Sequence, residues 1–219
     1  MPFFKSLPDN AIANHVWPLH PEAYDAWGPF VAAIMRTPSE LSDGEKELIG
    51  AYASAMNGCR HCYSAHFPVA VVMGVAPEVF EDVYVDPWEA PVEERLKPLL
   101  AYTKKLCREP HKLSQEDADK VLEAGWSERA LTDAIHIAAM FGYMNTIMLG
   151  HGADQQDLSG IGPLHTVLRE SDAYGYDLTH EELLEKLEQA RERFGDEAVN
   201  KALQEYLGFA GAARQSTGE

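Results

Sequence analysis

Cysteine is scarce in this chain: Cys59, Cys62 and Cys107 are the only three in 219 residues. That is too few for the disulfide framework of a small secreted protein. Long apolar runs are missing, so no segment is expected to cross a membrane. The opening residues, Met1-Pro2-Phe3-Phe4-Lys5, lead into no apolar stretch with a small-residue cleavage site. The cytoplasm is therefore the expected location. Clusters of Lys and Arg are missing as well. With 18 basic against 35 acidic residues the formal charge is -17. Phosphate recognition needs grouped cations, so neither nucleic acid nor an anionic membrane surface is expected as a partner. Good strand candidates are also lacking. Ala70-Val71-Val72-Met73 is apolar and partly β-branched, but it is short and sits in helical context.

What remains is helical. Ser42-x-x-Glu45 is a capping box, in which two side chains satisfy free N–H groups at a helix start. A helix is expected from there to about Met56. Asn57-Gly58 then punctuates the chain, and a second helix is expected through Cys59 and Cys62 toward Gly74. Glu93 to about Cys107 carries Leu96, Leu99, Leu100 and Leu106 at helical spacings, with Pro98 near its start. Ser114 opens a shorter helix ending near Gly125. Ser127 caps a long one to about Leu149, poor in charge after Asp133 and expected to be central and mostly buried. Thr179-x-x-Glu182 opens an acidic amphipathic helix. Prolines and glycines in the first forty residues read as a wrapping segment. Residues 154–175 read as a long irregular connection, and the residues after Gly208 as a frayed tail. Leu41-Ser42 and Trp126-Ser127 open two similar long helices, a faint internal echo. The fold class expected is all-α. No flexible linker interrupts the chain, so a single domain over 1–219 is expected.

The chemistry concentrates in Glu47-x11-Cys59-x2-Cys62-x3-His66. At about 100° per residue, Cys59, Cys62 and His66 fall within a sector of about 60° on the second helix. His61 points well away from them. Pro68 lies just beyond His66 and is expected to kink the helix, which bears on where His66 sits. Both cysteines lie near a helix start, where partial positive charge favours a thiolate. Glu47 and His66 can relay a proton to or from a thiol and a leaving group. Four readings fit these residues. The cysteines are buried small hydrophobes; or they bind zinc with His66 and Glu47, although no second ligand pair occurs; or they exchange disulfides, although the βαβ context is missing; or they form a thiol peroxidase on an all-α scaffold.

The same five positions, with His61 immediately before the second cysteine, resemble the core of the alkyl hydroperoxidase D proteins. These belong to the wider carboxymuconolactone decarboxylase-like superfamily. About thirty residues match closely, and the region from Ser39 to about Gly152 is similar to the peroxidase-related branch. There, a helix such as Ser127–Gly150 carries an aromatic-rich stretch and an asparagine, here Phe141-Gly142-Tyr143-Met144-Asn145. An arginine often follows that asparagine; this chain has Thr146. The resemblance implies an all-helical, homo-oligomeric hydroperoxidase-like bundle with a core of about 39–152, flanked by an N-terminal wrapping segment and a C-terminal helical extension. It implies Cys62 as the peroxidatic thiolate, Cys59 as the resolving thiol, Glu47 and His66 as the proton relay, and His61 as a weaker participant. The expected function is reduction of alkyl or hydrogen peroxide through a Cys59–Cys62 dithiol/disulfide cycle. An external dithiol would serve as reductant, without cofactor or metal. The superfamily also contains decarboxylase and isomerase activities on small carboxylated substrates. A redox sensor and a zinc-stabilised interaction module are the non-enzymatic alternatives.

Other residues carry less. His136 in the apolar helix, His151 and His165 in loops, and Cys107 beside charged residues read as structural. Tyr52, Tyr63 and Trp126 read as packing residues. Glu181, Glu182 and Glu185 read as a solvated helix face.

Overall fold

Among the described residues, every regular element is helical, as the sequence leads one to expect. The structure, a computed structural model, describes residues 2–80, 86–153 and 179–203. The irregular connection over 154–175, His165 within it, and the tail after Gly208 lie outside the described residues. The helices in chain order are α1 (Ala13–Val16), α2 (Pro21–Met35), α3 (Asp43–Asn57), α4 (Arg60–Val72), α5 (Leu96–Arg108), α6 (Gln115–Glu123), α7 (Glu128–Gly150) and α8 (His180–Phe194). Residues 196–203 are helical as well.

The start signals read from sequence operate as capping physics requires. Ser42 accepts from the Glu45 N–H while the Glu45 carboxylate accepts from the Ser42 N–H. Thr179 and Glu182 repeat the arrangement at α8. Ser127 accepts from the Ala130 N–H at α7. α5 begins at Leu96 rather than at Glu93. The preceding turn is taken up by tertiary contacts: Arg95 pairs with Glu45 at 3.0 Å, and its carbonyl accepts from the Trp126 indole N–H. Pro98 sits in the first turn of α5, where a missing N–H costs nothing.

The centre of the molecule is α3, not α7. Every residue of α3 from Gly44 to Met56 is buried. Small residues make this possible. Gly50, Ala51, Ala53, Ser54 and Ala55 let α4, α5 and α7 approach α3 closely. At Gly50 a Cβ would lie 2.3 Å from the Phe141 ring of α7, so only glycine fits. α7 is apolar on two sides but turns His136, Ala139, Tyr143 and Thr146 outward. Apolar composition alone does not tell which neighbours cover a helix.

The N-terminal segment contains the fifteen-residue helix α2, which the sequence did not announce. Pro29 lies inside α2, preceded by Gly28, which has no Cβ to strike the proline ring. α2 packs beside α7 through Trp27 and Tyr143, whose rings stack at 5.3 Å. The C-terminal end of α2 is tied to α3 by Lys46. This lysine is buried, and its ammonium donates to the Met35 and Thr37 carbonyls at 3.0 and 3.3 Å, with Asp43 at 3.6 Å. The charge compensates carbonyls that a helix end leaves open.

Candidate active site

The α3–α4 joint sets the geometry of the thiols. Gly58 adopts a left-handed conformation at φ 75°, which ends α3 without a Cβ penalty. The Gly58 N–H donates to the Ala55 carbonyl at 3.0 Å and the Cys59 N–H to the Ser54 carbonyl at 2.9 Å. This is a Schellman closure. Cys59 is then the N-cap of α4, with extended backbone, and Cys62 is the third residue of the helix. Cys59 therefore stands outside the helical turn that the sector estimate assumed. The cap position nonetheless leaves its sulfur close to that of Cys62. The two sulfurs are 3.2 Å apart and both are buried. A disulfide needs about 2 Å, so the pair is a reduced dithiol a short movement from closure.

Glu47 and His66 meet across the α3–α4 interface. The His66 Nδ1 lies 2.7 Å from the Glu47 Oε2, with both side chains at or below 2% exposure. With Glu47 as carboxylate, Nδ1 donates, which fixes the orientation of the ring. Phe141 packs edge-on against the imidazole at 4.5 Å and fixes its plane. α4 continues through Pro68, and His66, two residues before it, still reaches Glu47.

Next to these groups is a cavity of about 300 Å³. Its floor is the first turns of α4, with His61, Cys62, Ala65 and His66. Its opposite wall is the N-terminal segment, with Trp17, Tyr24, Asp25 and Trp27, and Met144 of α7 adds to the lining. Cys62 lines this cavity and Cys59 does not, so the two thiols are placed differently. His61 lines it as well, contrary to the expectation that it points away. The reason is that the cavity embraces two adjacent faces of α4. His61 and Ala65 lie on one, Cys62 and His66 on the next, together spanning about 140°. The aromatic wall was missed by sequence reasoning. The only signal was the density of Trp and Tyr among residues 17–27.

A polar chain supports the joint from α7. The Asn57 side-chain amide donates to Asn145 Oδ1 at 2.8 Å, Asn145 Nδ2 donates to Ser54 Oγ at 3.0 Å, and Ser54 Oγ donates to the Gly50 carbonyl at 2.9 Å. Asn145 thus holds the last turn of α3 just before Gly58, and Ser54 is also the residue whose carbonyl anchors Cys59.

The remaining candidates are elsewhere. His136 is exposed, and the His151 Nδ1 donates to the Ile147 carbonyl at 2.7 Å. Cys107 is half-buried on α5, and burial pushes its thiol up to about 11, away from thiolate chemistry. Tyr52 is buried, and desolvation together with nearby Asp86 and Cys107 raises its phenol. Tyr63 stacks on Phe67 at 5.8 Å, and Trp126 lies under the Arg95 guanidinium at 4.1 Å. Glu181, Glu182 and Glu185 are exposed. Among the described residues no three His, Cys, Asp or Glu side chains converge as a metal site.

Comparison with known proteins places this arrangement. Residues 21–85 match the model of the carboxymuconolactone decarboxylase family. This stretch begins at α2 and contains both thiols, Glu47, His61 and His66. A solved structure described as an alkylhydroperoxidase AhpD core, an uncharacterized peroxidase-related protein from Ralstonia eutropha JMP134, is similar with a TM-score of 0.59. The identity is 26%, over 64% of this chain and 74% of that one. An uncharacterized peroxidase-related protein from Silicibacter sp. TM1040 is similar with a TM-score of 0.58, over 63% of this chain and 72% of that one. At 21% identity, this second likeness is one of fold. No curated protein sequence matches the chain.

Proposed function

Because this chain belongs to the alkyl hydroperoxidase D-like, carboxymuconolactone decarboxylase-like superfamily, we propose that it is a cysteine-based peroxidase that reduces hydroperoxides through a Cys59–Cys62 dithiol cycle. The observation that carries this reading is the pair of sulfurs at 3.2 Å, with one thiol on a cavity that His66 also lines.

The chemistry follows from the positions. Cys62 sits in the first turn of α4, where the open N–H groups of the helix stabilise negative charge. His66, oriented through Nδ1 by Glu47, takes the thiol proton directly or through a water. The Cys62 thiolate attacks the O–O bond of a hydroperoxide. The S–O bond forms, the O–O bond breaks, and the departing alkoxide or hydroxide takes the proton back from the His66–Glu47 pair. Cys62 is now a sulfenic acid. The Cys59 thiol attacks that sulfur, water leaves, and a Cys59–Cys62 disulfide forms. An external dithiol then reduces the disulfide and is itself oxidised. His61, on the cavity floor, is a weaker participant that lines the cavity from the adjacent helix face.

This reading includes a reducing compartment such as the cytoplasm, because the cycle starts from two thiols. It also includes a homo-oligomer. The outward stripe of α7 carries no Asp, Glu, Lys or Arg, and the exposed Tyr143 of α7 and Phe30 of α2 are the large apolar side chains offered to a second copy. The decarboxylase or isomerase alternative is less favoured, because among the described residues no Lys or Arg lines the cavity to pair with a substrate carboxylate.

Replacing Cys62 by serine tests the proposal. Peroxide consumption with a dithiol should vanish while the helical circular dichroism is unchanged. Full activity in the Cys62→Ser protein would remove Cys62 as nucleophile and the proposed cycle with it.

A further inference from the structure

The cavity beside Cys62 is larger than hydrogen peroxide requires. At about 300 Å³ it offers about ten times the space of one water. Its outer wall is aromatic and ordered by mutual stacking. Trp17 lies against Tyr24 with centroids 5.1 Å apart and planes 30° apart, and against Trp27 at 5.9 Å and 36°. These rings come from the connection after α1 and from α2, so they belong to the N-terminal segment and not to the helices that hold the thiols. A stacked aromatic wall favours a flat apolar group laid against it, and a π face favours a cation over an anion.

The charges point the same way. Among the described residues that line the cavity, Asp25 is the carboxylate, and no Lys or Arg accompanies it. A Cys62 thiolate adds a second negative charge, and Glu47 stands behind His66. Against these are the His61 and His66 imidazoles, the latter already engaged by Glu47. A carboxylate brought into this cavity would lose water without meeting a dedicated cation.

We propose that the wall of Trp17, Tyr24 and Trp27, with Asp25 beside it, selects hydroperoxides that carry a flat apolar body, neutral or cationic, and disfavours those that carry a carboxylate. This rests on the peroxidase reading for the reacting group, but the selection itself is a property of the cavity.

Binding and turnover separate the two. The binding probes are 2-phenyl-2-propanol, which is the alcohol left when cumene hydroperoxide is reduced, and its para-carboxylate and para-trimethylammonium derivatives. They are titrated calorimetrically into the Cys62→Ser protein, with intrinsic tryptophan fluorescence as second readout. The neutral and ammonium probes should bind at least about tenfold more tightly than the carboxylate. Asp25→Lys, at an exposed position that folding does not depend on, should invert the order of the two charged probes. Tyr24→Ala, also exposed, should weaken all three by about threefold or more. Trp17→Ala should weaken them further. In the unmutated enzyme, kcat/KM for cumene hydroperoxide should exceed that for its para-carboxylate by a similar factor. Equal affinity for the three probes, or an order that Asp25→Lys leaves unchanged, overturns the proposal even if peroxides are turned over. The expected order of probe binding without any peroxide turnover sustains it and overturns the peroxidase reading instead.

Discussion

The α3–α4 hairpin and the N-terminal helices α1 and α2 face each other across one cavity, and they are built in opposite ways. In the hairpin, small residues, a left-handed glycine and the buried Glu47–His66 contact hold the candidate reacting groups in close packing. Glu47, Cys59, Cys62 and His66 are all at or below 4% exposure. Across the cavity, Tyr24 and Phe30 are each nearly half exposed, and α2 is interrupted by Pro29. The proposed reacting groups stand on elements that close packing makes rigid. The groups that would meet the body of a substrate stand on an outer layer that tolerates change. Substitutions in the hairpin should therefore affect every substrate and the fold together, whereas substitutions in the outer wall should alter preference and little else.

The largest expected effect short of removing Cys62 is at Glu47. Glu47→Gln keeps the shape but removes the carboxylate that orients His66. A fall of about 10²–10⁴ in kcat/KM for all peroxides is expected, measured by coupled dithiol oxidation. Next is Gly50→Ala. The added methyl group meets the Phe141 ring at 2.3 Å, and that ring holds the His66 plane. A loss of about 3 kcal/mol is expected by denaturant unfolding, with slower turnover in the protein that still folds. Asn145→Ala comes third. It leaves the Asn57 amide without its acceptor and removes a donor from Ser54, at about 2 kcal/mol. Because Ser54 anchors Cys59, disulfide formation after stoichiometric peroxide should also slow, as followed by mass spectrometry of the Cys59–Cys62 peptide. The smallest effect is at the outer layer. Phe30→Ala should cost less than about 1 kcal/mol and leave the rate with hydrogen peroxide unchanged. Equal losses at Gly50 and Phe30 would dissolve the distinction between the two regions.

The hairpin was legible in sequence because its signals are local. Ser42-x-x-Glu45 and Asn57-Gly58 act through neighbouring backbone, and the spacing of Cys62 and His66 is set by the helix itself. The outer wall was not legible, because Gly28-Pro29 breaks the local helical pattern while tertiary contact with α7 restores α2. The start of α5 shifted for a related reason: Arg95 serves Glu45 and Trp126 rather than its own helix. α7 read as central because apolar spacing reports what a helix avoids and not what covers it. The orientation of His61 was misjudged because a sector counts one helix face, whereas a cavity extends over two. Asn145 was noticed only through family resemblance; its partners Ser54 and Asn57 are 91 and 88 residues away in sequence.

Lys46 carries one further consequence. Its ammonium holds α2 through the Met35 and Thr37 carbonyls, which are main-chain atoms present whatever side chains α2 bears. The tether is thus blind to the identity of the residues it positions. Descendants of this chain can exchange the exposed Tyr24 or Asp25 while Lys46 and the buried Trp27 keep α2 in place, so under the proposed function substrate preference can diverge by drift on one exposed face.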